Sequence, residues 1–201
     1  MTDKSKYAFH LGRVFTLSLA ELFSVFKVMK LNFRVVELYR EVLIIETESP
    51  LDPLKLQRRL GGTIKIMAIV DSLGRKKLAR PSQGIRDYFD SKTLREKYLG
   101  TKSSKIQFGV SIYPLAQKLP LRGEPKKIAL DLKRIMTDTG LSVRVVFPQD
   151  EGLALPSVVV ANEHLLEKGG EIDFLVSSER IYLAKTVAIQ DFEDYGRRDY
   201  Q

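Results

Sequence analysis

Two hydrophobic periods take turns along the chain, and their order predicts the fold. Tyr7 to Val14 has the alternating character of a strand. In "SLAE", Ser18 and Glu21 stand at the spacing of a capping box. The helix this starts reaches about Leu31 and is expected to bury Leu19, Leu22, Phe23, Phe26 and Met29. "FRVVELYR" and "EVLIIETE" read as two strands joined by a tight turn near Arg40 and Glu41. A short helix from about Pro53 to Leu60, stopped by Gly61-Gly62, and a strand from Thr63 to Val70 complete a β-α-β-β-α-β order. That order is the ferredoxin-like arrangement.

A cluster of turn formers and cations, "SLGRKKLARPSQG", reads as the boundary to a second domain. Beyond it the pattern predicts a helix over Asp87–Leu99, a strand over Ile106–Tyr113, a helix over Lys126–Thr139 ended by Gly140, and a strand over Val143–Phe147. Val158 to Leu166 carries both strand and helix signals, and Ile172–Ser177 and Ile181–Ile189 are the last strands. The expected class is α+β: a ferredoxin-like domain over residues 1–74, an α/β domain over 75–190 and the start of a linker over 191–201.

Composition removes several chemistries. The 201 residues include no cysteine, which excludes disulfides, thiol catalysis and zinc–thiolate sites and fits a reducing cytoplasm. Two histidines, His10 and His164, leave little material for a metal centre. No apolar run approaches the ~20 residues that cross a bilayer, so no membrane partner is expected. No nucleophile–base pair or carboxylate cluster is visible, so a catalytic reading of the chain is disfavoured.

Charge changes the picture more. The net charge of +8 is unevenly placed: residues 1–74 carry +3, residues 75–140 carry +10 and residues 141–201 carry −5. A basic middle third hidden by an acidic end points to a polyanion-binding surface. The helix from Lys126 sharpens this. At ~100° per residue, with Lys126 at zero, Lys127 falls near ~100°, Lys133 near ~340° and Arg134 near ~80°. Ile128, Ala129, Leu132, Ile135 and Met136 fill the opposite arc. Arg75, Lys76, Lys77 and Arg80 in the boundary loop, Lys102 and Lys105 before the next strand, and Arg144 after the helix add to the basic surface. Such cations hold phosphates by displacing counterions, without reading bases. Tyr88, Phe89, Tyr98 and Tyr113 are candidates to stack on unpaired bases, although Tyr113 and Phe108 suit a core better.

Four stretches in order, "FGVSIY", "LKRIMTDTGLSVRVV", "PSVVVANEHLLEKGGEIDFLV" and "IYLAKTVAIQDFEDYGRRDY", resemble the THUMP domain of tRNA-modifying enzymes. More narrowly they resemble the amino-terminal part of the tRNA guanine exocyclic-amine methyltransferases. The strand "TVAIQD" followed by "YGRRDY" is the most specific piece. The resemblance implies a ferredoxin-like domain followed by a THUMP domain that grips the acceptor stem and 3′ end of tRNA. In that family a Rossmann-like domain follows, with an S-adenosylmethionine loop and a Pro-Pro-aromatic motif. This sequence contains no Pro-Pro and no glycine-rich loop between a strand and a helix, so no cofactor is expected in it and the chain should be inactive alone. The expected partners are tRNA and a catalytic methyltransferase domain; the alternative is a stand-alone adaptor presenting tRNA to a separate enzyme. Carried onto this sequence, the RNA-binding positions are Lys126, Lys127, Lys133, Arg134, Arg144 and Ser157, then Lys185 and the loop cations. Gln190, Asp191, Arg197, Arg198 and Asp199 are expected to fix the linker to the fold.

Overall fold

A computed structural model describes residues 4–74, 82, 85–99, 105–149 and 152–191. Two compact units form, Met1–Ala68 with Val187–Gln201, and Ile69–Thr186. The expected boundary after residue 74 therefore moves, and the chain returns to the first unit at its end. The cause lies in two long strands. β4, which the pattern ends at Val70, runs over Thr63–Gly74, so its last half serves the second unit. β8, Arg180–Ile189, ends by giving Val187 and Ala188 to the first core.

The first unit holds β1 (Ser5–Leu11), α1 (Phe15–Val28), β2 (Phe33–Tyr39), β3 (Val42–Thr47), α2 (Pro53–Gln57) and the start of β4. The strand order β2-β3-β1-β4, with β3 antiparallel to both β1 and β2, is the split arrangement expected of β-α-β-β-α-β. The tight turn is present, with Arg40 at φ 47. Phe9, Leu11, Leu43, Ile45 and Ile66 from the sheet close over Leu22 and Phe26 of α1. Phe23, expected inside, is 38% exposed, while Ser18 is buried in its stead.

The capping box does not form. α1 begins one turn early, at Phe15, so Ser18 lies inside the helix and its hydroxyl donates back to the Val14 carbonyl at 3.3 Å. Glu21 turns sideways and accepts the amides of Gly61 and Gly62, each at 2.8 Å. Gly62 is glycine for the same reason: a Cβ there would come within 2.5 Å of the Ser18 hydroxyl. The glycine pair thus seats α1 against the loop before β4 rather than stopping α2. Gln190 adds to this corner through the Gly61 and Ile64 carbonyls, at 3.1 and 2.9 Å. Glu21→Ala is expected to strip both amides and lower unfolding free energy by about 2 kcal/mol, measured by urea denaturation. Glu21→Gln, which keeps one acceptor, should lose about half of that; unchanged midpoints for both would show water serving the amides.

The second unit continues with α3 (Ile85–Tyr88), α4 (Ser91–Thr93), a π-helical turn (Leu94–Leu99), β5 (Lys105–Pro114), α5 (Glu124–Thr137), β6 (Ser142–Val146), α6 (Ser157–Asn162), α7 (Leu165–Lys168), β7 (Gly169–Val176) and β8. The single helix expected over Asp87–Leu99 is broken, and the ambiguous stretch at Val158 resolves as two short helices. The strand order is β8-β7-β5-β6, with β5 parallel to both neighbours and β7 antiparallel to β8. One sheet face is apolar: Phe108, Val110, Ile112, Ile172, Phe174 and Leu183 pack with Ile128, Leu132 and Met136 of α5. The other face carries Gln107, Ser111, Glu171, Asp173 and Thr186, all buried.

Candidate nucleic-acid interface

α5 is amphipathic for a plain reason. Ile128, Ala129, Leu132 and Met136 recur at three- and four-residue steps and are buried, so the residues between them must face outward. Lys126, Lys127 and Arg134 are exposed and Lys133 is half-buried, as the angular reading requires. Leu130 breaks the basic arc, 41% exposed. The helix starts two residues earlier than expected, at Glu124 behind Gly123, whose φ of 73 suits glycine.

That early start introduces an acid the charge pattern hid. Glu124 is fully buried, accepts the Ser82 amide at 2.9 Å and meets the Lys127 ammonium at 3.3 Å. Arg134 lies 4.0 Å from Asp131. Lys126 and Lys133 form no ion pair among the described residues. The helix keeps a charge of +2 from four cations and two acids. Lys127 and Arg134 retain 52% and 69% of their side-chain exposure. A surface pair such as Arg134–Asp131 is worth about 0–1 kcal/mol, so a phosphate can displace that carboxylate, whereas Lys127 is tethered to a buried acid.

Arg144 belongs elsewhere. Its strand neighbours Val143 and Val145 pack on the apolar core with α5, so Arg144 points from the opposite face. There it meets Glu163 at 3.3 Å, and Glu163 is in turn held by the Gln107 amide at 2.7 Å. The sequence grouped Arg144 with α5, and the strand's two-residue period separates them. Ser157 is buried, which removes its side chain from any direct grip on RNA. Lys185 is half-buried on the α5 side of the sheet, opposite Ile172, and burial lowers its pKa. Lys105 is exposed at the start of β5. Arg75, Lys76, Lys77, Arg80 and Lys102 lie outside the described residues, as do Arg197, Arg198 and Asp199.

The stacking candidates fare poorly. Phe89, Tyr98, Phe108 and Tyr113 are all core. Tyr88 is half-buried, its ring edge-on to Phe89 and its hydroxyl donating to Asp71; burial and that bond push its pKa up to about 12. Base stacking has little to work with here.

One cluster escaped the sequence. Glu171 and Asp173, two apart on β7 and both fully buried, meet the Thr186 hydroxyl at 2.8 and 2.9 Å, and Ser111 donates to Glu171. Burial, then the nearby Glu171 and Asp173, push the Tyr113 hydroxyl well above its usual range. Clustered carboxylates therefore exist after all, but they are sealed from solvent and cannot meet a substrate. The alternation of "EIDF" on a buried strand was the available signal. Among the described residues no acid–histidine group could hold a metal ion, and no helix is long and apolar enough to cross a membrane. A cleft of about 380 Å³ in the first unit is lined by Lys4, Asn32, Phe33, Arg34, Glu46 and Glu48; its two cations and two acids balance, so it offers a polyanion little.

These features define an α+β protein whose strongest candidate surface is a cationic helix face. No family model matches the sequence, and no curated protein matches it significantly. Among solved structures the chain is similar to PH1313 from Pyrococcus horikoshii Ot3, with a TM-score of 0.55 and 12% identity over 92% of this chain and 55% of that one. It also aligns with TrmN from Thermus thermophilus (TM-score 0.49, 11% identity, 94% of this chain and 46% of that) and with a 4-thiouridine synthetase in an RNA complex with bound ATP (0.49, 12%, 94% and 42%). The chain thus spans about half the length of these proteins. The likeness to PH1313 is one of fold, and it agrees with the expected α+β class.

Proposed function

We propose that this chain is a tRNA-binding, THUMP-type recognition region that holds the acceptor stem and 3′ end of tRNA for a guanine methyltransferase domain. The observation that carries this reading is the outward face of α5, where Lys126, Lys127, Lys133 and Arg134 stand over a helix otherwise committed to the core. The resemblance supports it. "LKRIMTDTGLSVRVV" covers the end of α5 from Leu132 and all of β6, and the two later stretches cover α6 to β8, so the motifs fall on the second unit and its return strand.

The mechanism is one of distance. Phosphate contacts fix register without reading bases. Gripping a remote end of the tRNA raises the local concentration of one nucleotide at a catalytic centre. S-adenosylmethionine would be held by the catalytic domain. The sequence shows no glycine-rich stretch of the kind that holds such a cofactor, and in this proposal the chain's own part is binding and orientation.

The test compares tRNA variants by fluorescence anisotropy. Removing the single-stranded 3′ nucleotides is expected to weaken binding by roughly tenfold or more, while changing the anticodon leaves it unchanged. The opposite preference would overturn the acceptor-end reading.

A further inference from the structure

Among the described residues β2 is the outermost strand of the first unit's sheet, so one of its edges has no strand beside it there. Proteins usually blunt such an edge with charge or a bulge, because an open edge templates pairing. β2 does have a bulge, between Val35 and Glu37. It also carries exposed apolar side chains: Val35 is 45% and Leu38 48% exposed. Of the twelve exposed large apolar residues among those described, seven lie between residues 14 and 38, which concentrates apolar surface on α1 and β2.

The bulge also orders the side chains. Val35 and Leu38 pair with Ile45 and Leu43, both core residues, so they share the face that α1 covers. Phe33 packs on the same core. Arg34 and Glu37 pair with Glu46 and Ile44 and share the other face, although they are three apart. Val36 is the extra residue. From Phe33 to Leu38 the strand thus reads apolar, basic, apolar, apolar, acidic, apolar. Reversed, the pattern is the same with the charges exchanged.

We propose that β2 is a homodimerisation edge, where a second copy of this chain pairs its own β2 antiparallel about a two-fold axis between Val35 and Val36. Phe33 then stands opposite Leu38 of the second copy, Arg34 opposite Glu37, and Val35 opposite Val36. Phe33 and Leu38 share one face and Arg34 and Glu37 the other, as cross-strand neighbours must, with the two bulges meeting at the axis. Symmetry makes every contact twice. A bulged edge rejects a regular strand, but a second copy brings the same bulge to the same level in the opposite direction, which selects it over other strands. Phe23, 38% exposed and stacked on Phe33 at 5.8 Å, supplies apolar cover beside the seam. Six paired residues span roughly 20 Å, which places the contact at the small end of stable interfaces. The dimer is therefore weak and concentration-dependent.

Sedimentation of the full chain from about 1 µM to about 1 mM tests this, since small interfaces of this kind are weak and transient. The mass average is expected to climb from one chain toward two. Arg34→Glu and Glu37→Arg should each weaken dimerisation by about tenfold or more, because like charges then face each other twice. An equimolar mixture of the two variants should recover most of the affinity, since each altered position again meets its opposite charge. Arg34→Glu also breaks the 3.4 Å ion pair with Glu46 inside its own chain. Mixing cannot repair that pair, so recovery reports association alone. A single-chain mass at every concentration, a dimer indifferent to either variant, or a mixture no tighter than its components would each overturn the proposal.

Discussion

Replacing Lys126 and Lys133 together by glutamate is expected to weaken tRNA binding on the order of 30-fold at low salt, with the melting temperature nearly unchanged. These are the two α5 cations with no ion pair among the described residues, so each is available to a phosphate. Each substitution removes one phosphate partner and adds a repulsive charge. The slope of log affinity against log salt should fall by about two, one for each phosphate no longer neutralised. Lys127→Ala and Arg134→Ala should each cost less, because Glu124 and Asp131 already occupy part of those cations' charge. Binding by the double variant that equals the natural chain at about 50 mM salt, or a natural affinity that hardly changes from about 50 to 200 mM, would end the electrostatic account.

The second large effect concerns stability and pH. His10 is half-buried on β1, and burial, then the positive charge of Lys65, lower its pKa from 6.5 to about 4. The folded chain therefore resists protonation that the unfolded chain accepts. Below pH 6.5 the unfolded state binds more protons, so the stability contribution, complete above that pH, declines as the pH falls and is gone near pH 4. The loss is on the order of 3 kcal/mol. Carboxylates titrate over part of the same window. Glu46 is one: desolvation opposes its ionisation, but Lys4 and Arg34 prevail and hold its pKa below the usual value. The informative quantity is therefore the difference between the natural chain and His10→Gln. Urea unfolding at pH 7 and pH 4.5 should show the natural chain losing more stability than the variant. Equal losses would mean His10 is protonated in the folded state too.

Several features of the molecule can be read without coordinates. The β-α-β-β-α-β order, the turn at Arg40 and the faces of α5 follow from short-range periodicity, which the backbone imposes locally. The Asp131–Arg134 pair was equally legible, since the two stand three apart on the expected helix; the Glu124–Lys127 pair was not, because the pattern starts that helix only at Lys126. Glu21 was not legible. Its spacing from Ser18 fits a local cap, but two amides forty residues away bind it better. Ser157 and the aromatics near residue 90 looked available because exposure is a property of what covers a residue, and nearby sequence does not carry it.

The amino acids in order settled the class, the helix that carries the cations and the lack of thiol chemistry, because each depends on composition or on a period of a few residues. Assembly in three dimensions decided the rest. It set Arg144 on the far face from α5, sealed Glu171 and Asp173 inside, returned the end of β8 to the first unit and left β2 at an edge. Each of these depends on which distant segments lie side by side, and strand order and burial arise only when the whole chain has packed.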